Sequence, residues 1–174
     1  MDEMQEMLAH FQISKQIWKM CQGCDRLDEG LMASGYAEES WDEHGSQRMS
    51  GQDFAQVTMD NRRKLQDVVS HLLGQTLVNV VGDNAGSETY FLATLEAQEE
   101  DGSKSLHQMG GRYVDEWIRE GGDWKIKKRV TLRDWSITHP VSTDFVATLG
   151  FMQGKIDGTD PSFRVLGVIP SEVG

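Results

Sequence analysis

No run of apolar residues in this 174-residue chain approaches the roughly 20 needed to cross a bilayer, so nothing in it reads as a membrane span. Positive charge is scarce. Seventeen Lys and Arg stand against 28 Asp and Glu, giving a formal net charge of −11. Each phosphate contact needs a cation, so this balance argues against nucleic acid and anionic membranes as partners. The opening MDEMQEML is acidic where a secretory signal would be basic, which predicts a cytoplasmic protein. Only two cysteines occur, Cys21 and Cys24. A zinc site would need a second pair or histidines at ligand spacing, and none follows. A thioredoxin-like pair would open a helix after a strand, whereas this one lies late in a helical stretch. Buried structural thiols in a reducing compartment are the remaining reading.

The composition that is present, 38% hydrophobic and 26% charged, suits one globular domain large enough for a real core. MDEMQEMLAHFQISKQIWKMCQGC reads as a long amphipathic helix. At about 100° per residue, Met4, Met7, Leu8, Trp18 and Cys21 cluster around Phe11, and Asp25 falls inside that stripe. A carboxylate on a buried face is expensive unless something pairs with it. Two readings follow: the helix stops short and leaves Asp25 solvated, or Asp25 is buried because a partner needs it.

Asp28 can cap a short second helix through EGLMASGY. AEESWDEHGSQRMS is polar with one tryptophan, suited to a short strand and loop. Ser50 and Asp53 cap a third helix, GQDFAQVTMDNRRKLQDV, with Phe54, Val57, Leu65 and Val68 as its apolar stripe. The period then changes to two. SHLLGQTLVNVV is a strand and GDNAG a turn. SETYFLATLEA alternates, with Thr89, Phe91, Ala93 and Leu95 on one side. SLHQMGGRYVDEWIRE and WKIKKRVTLRDW flank GGD, a hairpin signal. Helices first and long antiparallel strands after predict an α+β fold whose helices cover the apolar face of a curved sheet around a cavity. The last 35 residues hold all three prolines together with Phe145, Leu149, Phe151 and Met152. They read as an arm, residues 140–174, that docks over the pocket or a neighbouring subunit of a domain spanning 1–139.

GCDRLDEG at the end of the first helix, DEHG at Asp42 to Gly45, SHLLGQTLVNVVGDNAGSETYFLA and GGRYVDEWIREGGDWKIKKRVTLRDW resemble the SnoaL-like branch of the nuclear transport factor 2-like superfamily. The resemblance covers residues 5 to 136. Such relatives include scytalone dehydratase, bile-acid dehydratase and hexachlorocyclohexane dehydrochlorinase, cofactor-free lyases built on a conical half-barrel of mostly antiparallel sheet around N-terminal helices. In them an aspartate closing the first helix supports a histidine on the first long strand. The resemblance therefore implies that Asp25 serves His71, the pair acting as general base without cofactor or metal. It departs at position 20, where some relatives carry a tyrosine or lysine for the leaving group and this chain has Met20. Tyr36, His44 and Tyr113 are the candidates to replace it.

The remaining candidates are weighed on residue type. Arg129 matches a pocket cation of dehydrochlorinase-like relatives, while its alternation with Lys125 and Lys127 also fits an outer sheet face. Phe91 and Tyr113 lie on the face that meets the cavity, with Asp115 beside them as a second buried carboxylate. Trp41 reads as a pocket-mouth residue. DEHG offers one histidine beside two acids, too few for a metal site. The function these features imply is a cofactor-independent lyase: a dehydratase, or a related β-eliminating or C–C-cleaving enzyme. Its substrate would be a hydrophobic aromatic or polycyclic alcohol. The alternatives are a ketone cyclase or isomerase using the same base, and a non-catalytic small subunit of a ring-hydroxylating dioxygenase. An outward face carrying Val114, Ile118 and Trp124 predicts a homo-oligomer, a trimer by resemblance and a dimer next.

Overall fold

A computed structural model describes residues 2–65, 68–141 and 148–166. Helix α1 spans Glu3–Asp25 and opens on a reciprocal capping box. Asp2 accepts from the Gln5 amide at 2.8 Å, and the Gln5 side chain accepts from the Asp2 amide at 3.2 Å. Its end is unusual. Leu27 adopts φ 55°, a left-handed conformation normally left to glycine, and the Asp28 amide reaches back to the Gly23 carbonyl at 2.9 Å. This is a Schellman-type stop, paid for by about 1–2 kcal/mol of local strain. It ends the helix just past Asp25 and turns the chain into α2, Glu29–Ala33, capped by Asp28. Gly23 makes room: a Cβ there would lie 2.6 Å from the Met32 amide nitrogen.

Strands β1 (Tyr36–His44) and β2 (Gln47–Met49) form a hairpin, and α3 follows over Gly51–Leu65. Four long strands complete the chain's core: β3 Val68–Val81, β4 Asn84–Gln98, β5 Lys104–Glu120 and β6 Asp123–Val141. A short helix α4, Pro161–Leu166, lies in the C-terminal segment. The sheet runs β2-β1-β6-β5-β4-β3 and is mixed, because β1 pairs parallel to β6 while every other pair is antiparallel. The expected hairpin falls at Gly121 and Gly122, both at positive φ.

Helix α1 packs on β3 and β6, and α3 on β1, so the helices cover one face of an open sheet. Ile13, Ile17, Met20, Trp117, Trp124 and Ile126 are buried together there. Each such side chain contributes about 1.5–3 kcal/mol by leaving water.

The helical stripe is where the sequence expectation fails. Ala9, Ile13, Ile17, Met20 and Cys21 face the sheet, whereas Met4, Phe11 and Trp18 are 72%, 52% and 49% exposed. Side-chain size pulled the expected stripe toward the Met and aromatic positions, while the β-branched and small residues are the ones that fit against the sheet. Asp25 then lies about 80° from Ile17, at the edge of the buried face. Trp124 is likewise buried and not outward.

Among the described residues no helix is long and apolar enough to cross a membrane. Phe145 lies outside the described residues. In the arm Phe151 is exposed, Phe163 is buried, and the Asp160 carboxylate accepts from the Lys155 and Ser162 backbone amides, both at 2.9 Å.

Candidate active site

Asp25 closes α1 beside the first third of β3, where inward-facing His71 and Leu73 alternate with outward-facing Leu72. Its carboxylate holds His71 twice. Oδ1 lies 2.6 Å from His71 Nδ1, and Oδ2 accepts the His71 backbone amide at 3.0 Å. A carboxylate is an acceptor, so Nδ1 carries the proton and Nε2 keeps its lone pair. His71 borders a cavity of about 260 Å³ lined by α1, α2, α3 and the sheet and open to solvent. Both side chains of the pair are largely shielded, 12% and 14% exposed.

Arg129 owes its inward direction to a bulge. Glu116 pairs with Lys128 but Trp117 pairs with Ile126, leaving Lys127 as an extra residue in β6. The bulge reverses the alternation, so Trp124 and Ile126 point inward before it, and Arg129 and Thr131 after it. Of the two faces open to Arg129, it takes the inner one. Asp115 receives its Nε at 2.7 Å and one Nη at 2.8 Å. Burial opposes that charge, and the Asp115 carboxylate overrides it, holding the guanidinium well above its ordinary range. The guanidinium lies 4.3 Å from the centre of the Tyr113 ring, which stacks on Phe91 at 4.4 Å. Burial, with the Cys21 thiol adding and Arg129 opposing, pushes Tyr113 well above 10.

A second carboxylate and histidine stand on β1. Tyr36 donates to Asp42 Oδ2 at 2.5 Å, and burial raises the pKa of both groups. Asp42 Oδ1 and His44 Nδ1, 3.8 Å apart, are buried without hydrogen-bond partners among the described residues. His44 Nε2 receives Arg133 at 3.0 Å, and its ring stacks on Phe54. Burial first, then Arg133, Arg129 and His71, lower His44 to about 4. It is therefore a neutral ring at pH 7.

His44, His71, Tyr113 and Arg129 thus border one cavity, with Asp25 behind His71. Phe91 lies beneath Tyr113, and Tyr36 sits in a second layer turned to Asp42. Trp41 does not join them. It is 50% exposed, with the Arg48 guanidinium over its ring, because β1 turns Ser40 and Asp42 inward and Trp41 outward. Asp42, Phe54, Thr58, Asn61 and Thr131 were missed as site residues. The alternation around Asp42 was the available signal, and the aromatic at 41 outweighed it. Cys24, Asp25 and His71 could offer a metal one atom each, all within 4.8 Å of one another, but both oxygens of Asp25 are already engaged by His71.

A six-stranded open sheet covered on one face by N-terminal helices is the nuclear transport factor 2-like fold. Within it the chain belongs to the SnoaL-like domain family, whose profile matches residues 5–130. Among solved structures, a proposed scytalone dehydratase from Novosphingobium aromaticivorans is similar at 16% identity. It covers 79% of this chain and 92% of its own, with a TM-score of 0.68. Hexachlorocyclohexane dehydrochlorinase LinA-type3 from Novosphingobium barchaimii LL02 is 17% identical, covering 82% and 97%, at TM-score 0.66. The β subunit of a proposed aromatic-ring-hydroxylating dioxygenase from Novosphingobium aromaticivorans is 16% identical, covering 75% and 92%, at TM-score 0.58. No curated protein matches the chain by sequence.

Proposed function

We propose that the protein is a cofactor-independent lyase in which His71 Nε2 removes a proton next to a carbon that loses an oxygen or other β leaving group. One observation carries this reading: a single carboxylate engages both nitrogens that His71 does not present to the cavity. That arrangement fixes the tautomer and stabilises the imidazolium formed on proton uptake. Arg129 and Tyr113 line the same cavity and would supply positive potential and a hydroxyl where negative charge develops.

A dry cavity of about 150 Å³ accommodates benzene, so a pocket of about 260 Å³ that opens to solvent has room for at least one ring of an aromatic or polycyclic alcohol. Ketone isomerisation or cyclisation would use the same base on the same class of molecule. Likeness to a dioxygenase β subunit supports the non-catalytic alternative, but a scaffold has no use for the Asp25–His71 arrangement.

Two parts of the proposal concern surroundings. The exposed Met4, Met7, Leu8, Phe11 and Trp18 of α1 make an apolar face suited to a second copy of the chain. The C-terminal arm, whose Phe163 is buried, is a cover for the site.

The test is turnover of one-ring β-hydroxy ketones without added cofactor, followed by appearance of the conjugated enone. Loss of that turnover in His71→Ala supports the reading. Undiminished turnover in the variant overturns it.

A further inference from the structure

With Met20 in place of a leaving-group residue, the departing oxygen needs a proton from elsewhere. Tyr36 gives its own to Asp42 at 2.5 Å and does not reach the cavity. His44 is occupied at Nε2 by Arg133, and its Nδ1 is buried toward Asp42. Tyr113 remains. Its ring is clamped between Phe91 at 4.4 Å and the Arg129 guanidinium at 4.3 Å, and it borders the cavity. Its hydroxyl is paired with the Cys21 thiol. That thiol, raised to about 12 by burial, stays an uncharged S–H, a weak partner that a ligand oxygen displaces easily.

We propose, on the lyase reading above, that Tyr113 is the acid that protonates the leaving oxygen, with His71 as the base. Tyr113 and His71 border the same cavity, and the residues they meet on α1, Cys21 and Asp25, lie one helical turn apart.

The step balances within the chain. His71 Nε2 takes the carbon-bound proton, and the C–H electron pair becomes the new C=C bond. The C–O bond breaks, and the oxygen takes the Tyr113 proton and leaves as water. The His71 imidazolium then returns a proton to the tyrosinate. Tyr113 is protonated throughout the neutral range, and without it the departing group would be hydroxide, a strong base and a poor leaving group. The Arg129 cation against the ring steadies the transient phenolate.

Tyr113→Phe removes one oxygen and keeps the stacked ring. Binding of 1-phenylethanol and of isopropylbenzene, which share a shape, should separate. The variant should bind the alcohol about tenfold more weakly and the hydrocarbon equally well. Equal losses, or none, would overturn contact between Tyr113 and a ligand oxygen.

In turnover, 4-hydroxy-4-phenylbutan-2-one should lose about 10²-fold, the low end for general-acid catalysis, while its 4-nitrophenyl ether, whose leaving group departs unprotonated, should stay within about threefold. Equal losses on both would make Tyr113 a wall residue and overturn the proposal with the His71 reading intact. Failure of His71→Ala to reduce turnover would instead sink the lyase reading, and the binding pair would still decide whether Tyr113 meets oxygen.

Discussion

His71 and His44 face the same cavity, each with a carboxylate near Nδ1, and they are not equivalent. At His71 the carboxylate is closed onto the ring at 2.6 Å and onto the backbone amide at 3.0 Å, with Nε2 left over. At His44 the carboxylate stands off at 3.8 Å, its nearer oxygen unpartnered among the described residues, while two guanidiniums press on the ring. The first setting fixes the ring's tautomer and leaves Nε2 over; in the second, burial and then the two guanidiniums oppose a charged ring. Residue type and proximity to an acid therefore do not identify a base. What decides is whether the carboxylate closes the hydrogen bond and what charge stands on the other nitrogen.

The largest test of that contrast removes the bases one at a time. His71→Ala should cost about 10²–10⁴ in kcat on an eliminating probe, the span for a lost general base, and His44→Gln less than about tenfold. Far-UV circular dichroism should be unchanged in both. Equal losses would erase the distinction between the two histidines.

Next is the carboxylate. Asp25→Asn leaves an acceptor for the His71 amide but no negative charge for an imidazolium, and should lower the rate about 10²-fold. Losses should not add: once the base is gone, its orienting partner has nothing to orient, so the double variant should match His71→Ala. A further drop in the double variant would mean that Asp25 acts independently, for instance as a base itself.

How much of this contrast could be seen in the sequence varies by residue. The period-two segments gave the long strands, and GGD the hairpin, because alternation and turn chemistry are local signals. His71 and Asp25 were paired only through family resemblance, since the contact joins residues 46 apart and no spacing rule reaches that far. The stop after Asp25 rests on Leu27 at φ 55°, a choice that local preference disfavours. Arg129 was ambiguous because one bulged residue, Lys127, reverses the inside of β6, and a period count assumes no bulge. Asp42 was overlooked since a charged residue beside an exposed tryptophan looks like surface, although its side chain is fully buried.

A smaller effect is expected at the face of α1. If Met4, Phe11 and Trp18 meet a second copy, Phe11→Glu should shift sedimentation at micromolar concentration from oligomer to monomer while folding is retained. A wild-type protein that sediments as a monomer would leave that face without the proposed occupant.

The finest test uses proton linkage at His44. Its folded pKa of about 4 lies below the ordinary 6.5, so the unfolded chain binds a proton that the folded chain refuses. For a lowered pKa the associated stability is fully present above 6.5 and is lost as pH falls through the window down to 4. Over that window each pH unit removes about 1.4 kcal/mol at most. His44→Gln can still accept from Arg133 and does not titrate, so it should escape this loss. Relative to wild type, its melting temperature should therefore rise as the pH is lowered from 7 to 4.5. The expected relative gain is about 4–8 °C, since 1 kcal/mol moves a domain of this size by about 2–4 °C. Carboxylates elsewhere titrate alike in both proteins and cancel in the comparison. The same titration followed on the ring protons should show His44 still neutral at pH 5. Parallel melting profiles for the two proteins would mean that His44 takes up protons as freely in the fold as outside it, and the contrast with His71 would fail on its electrostatic side.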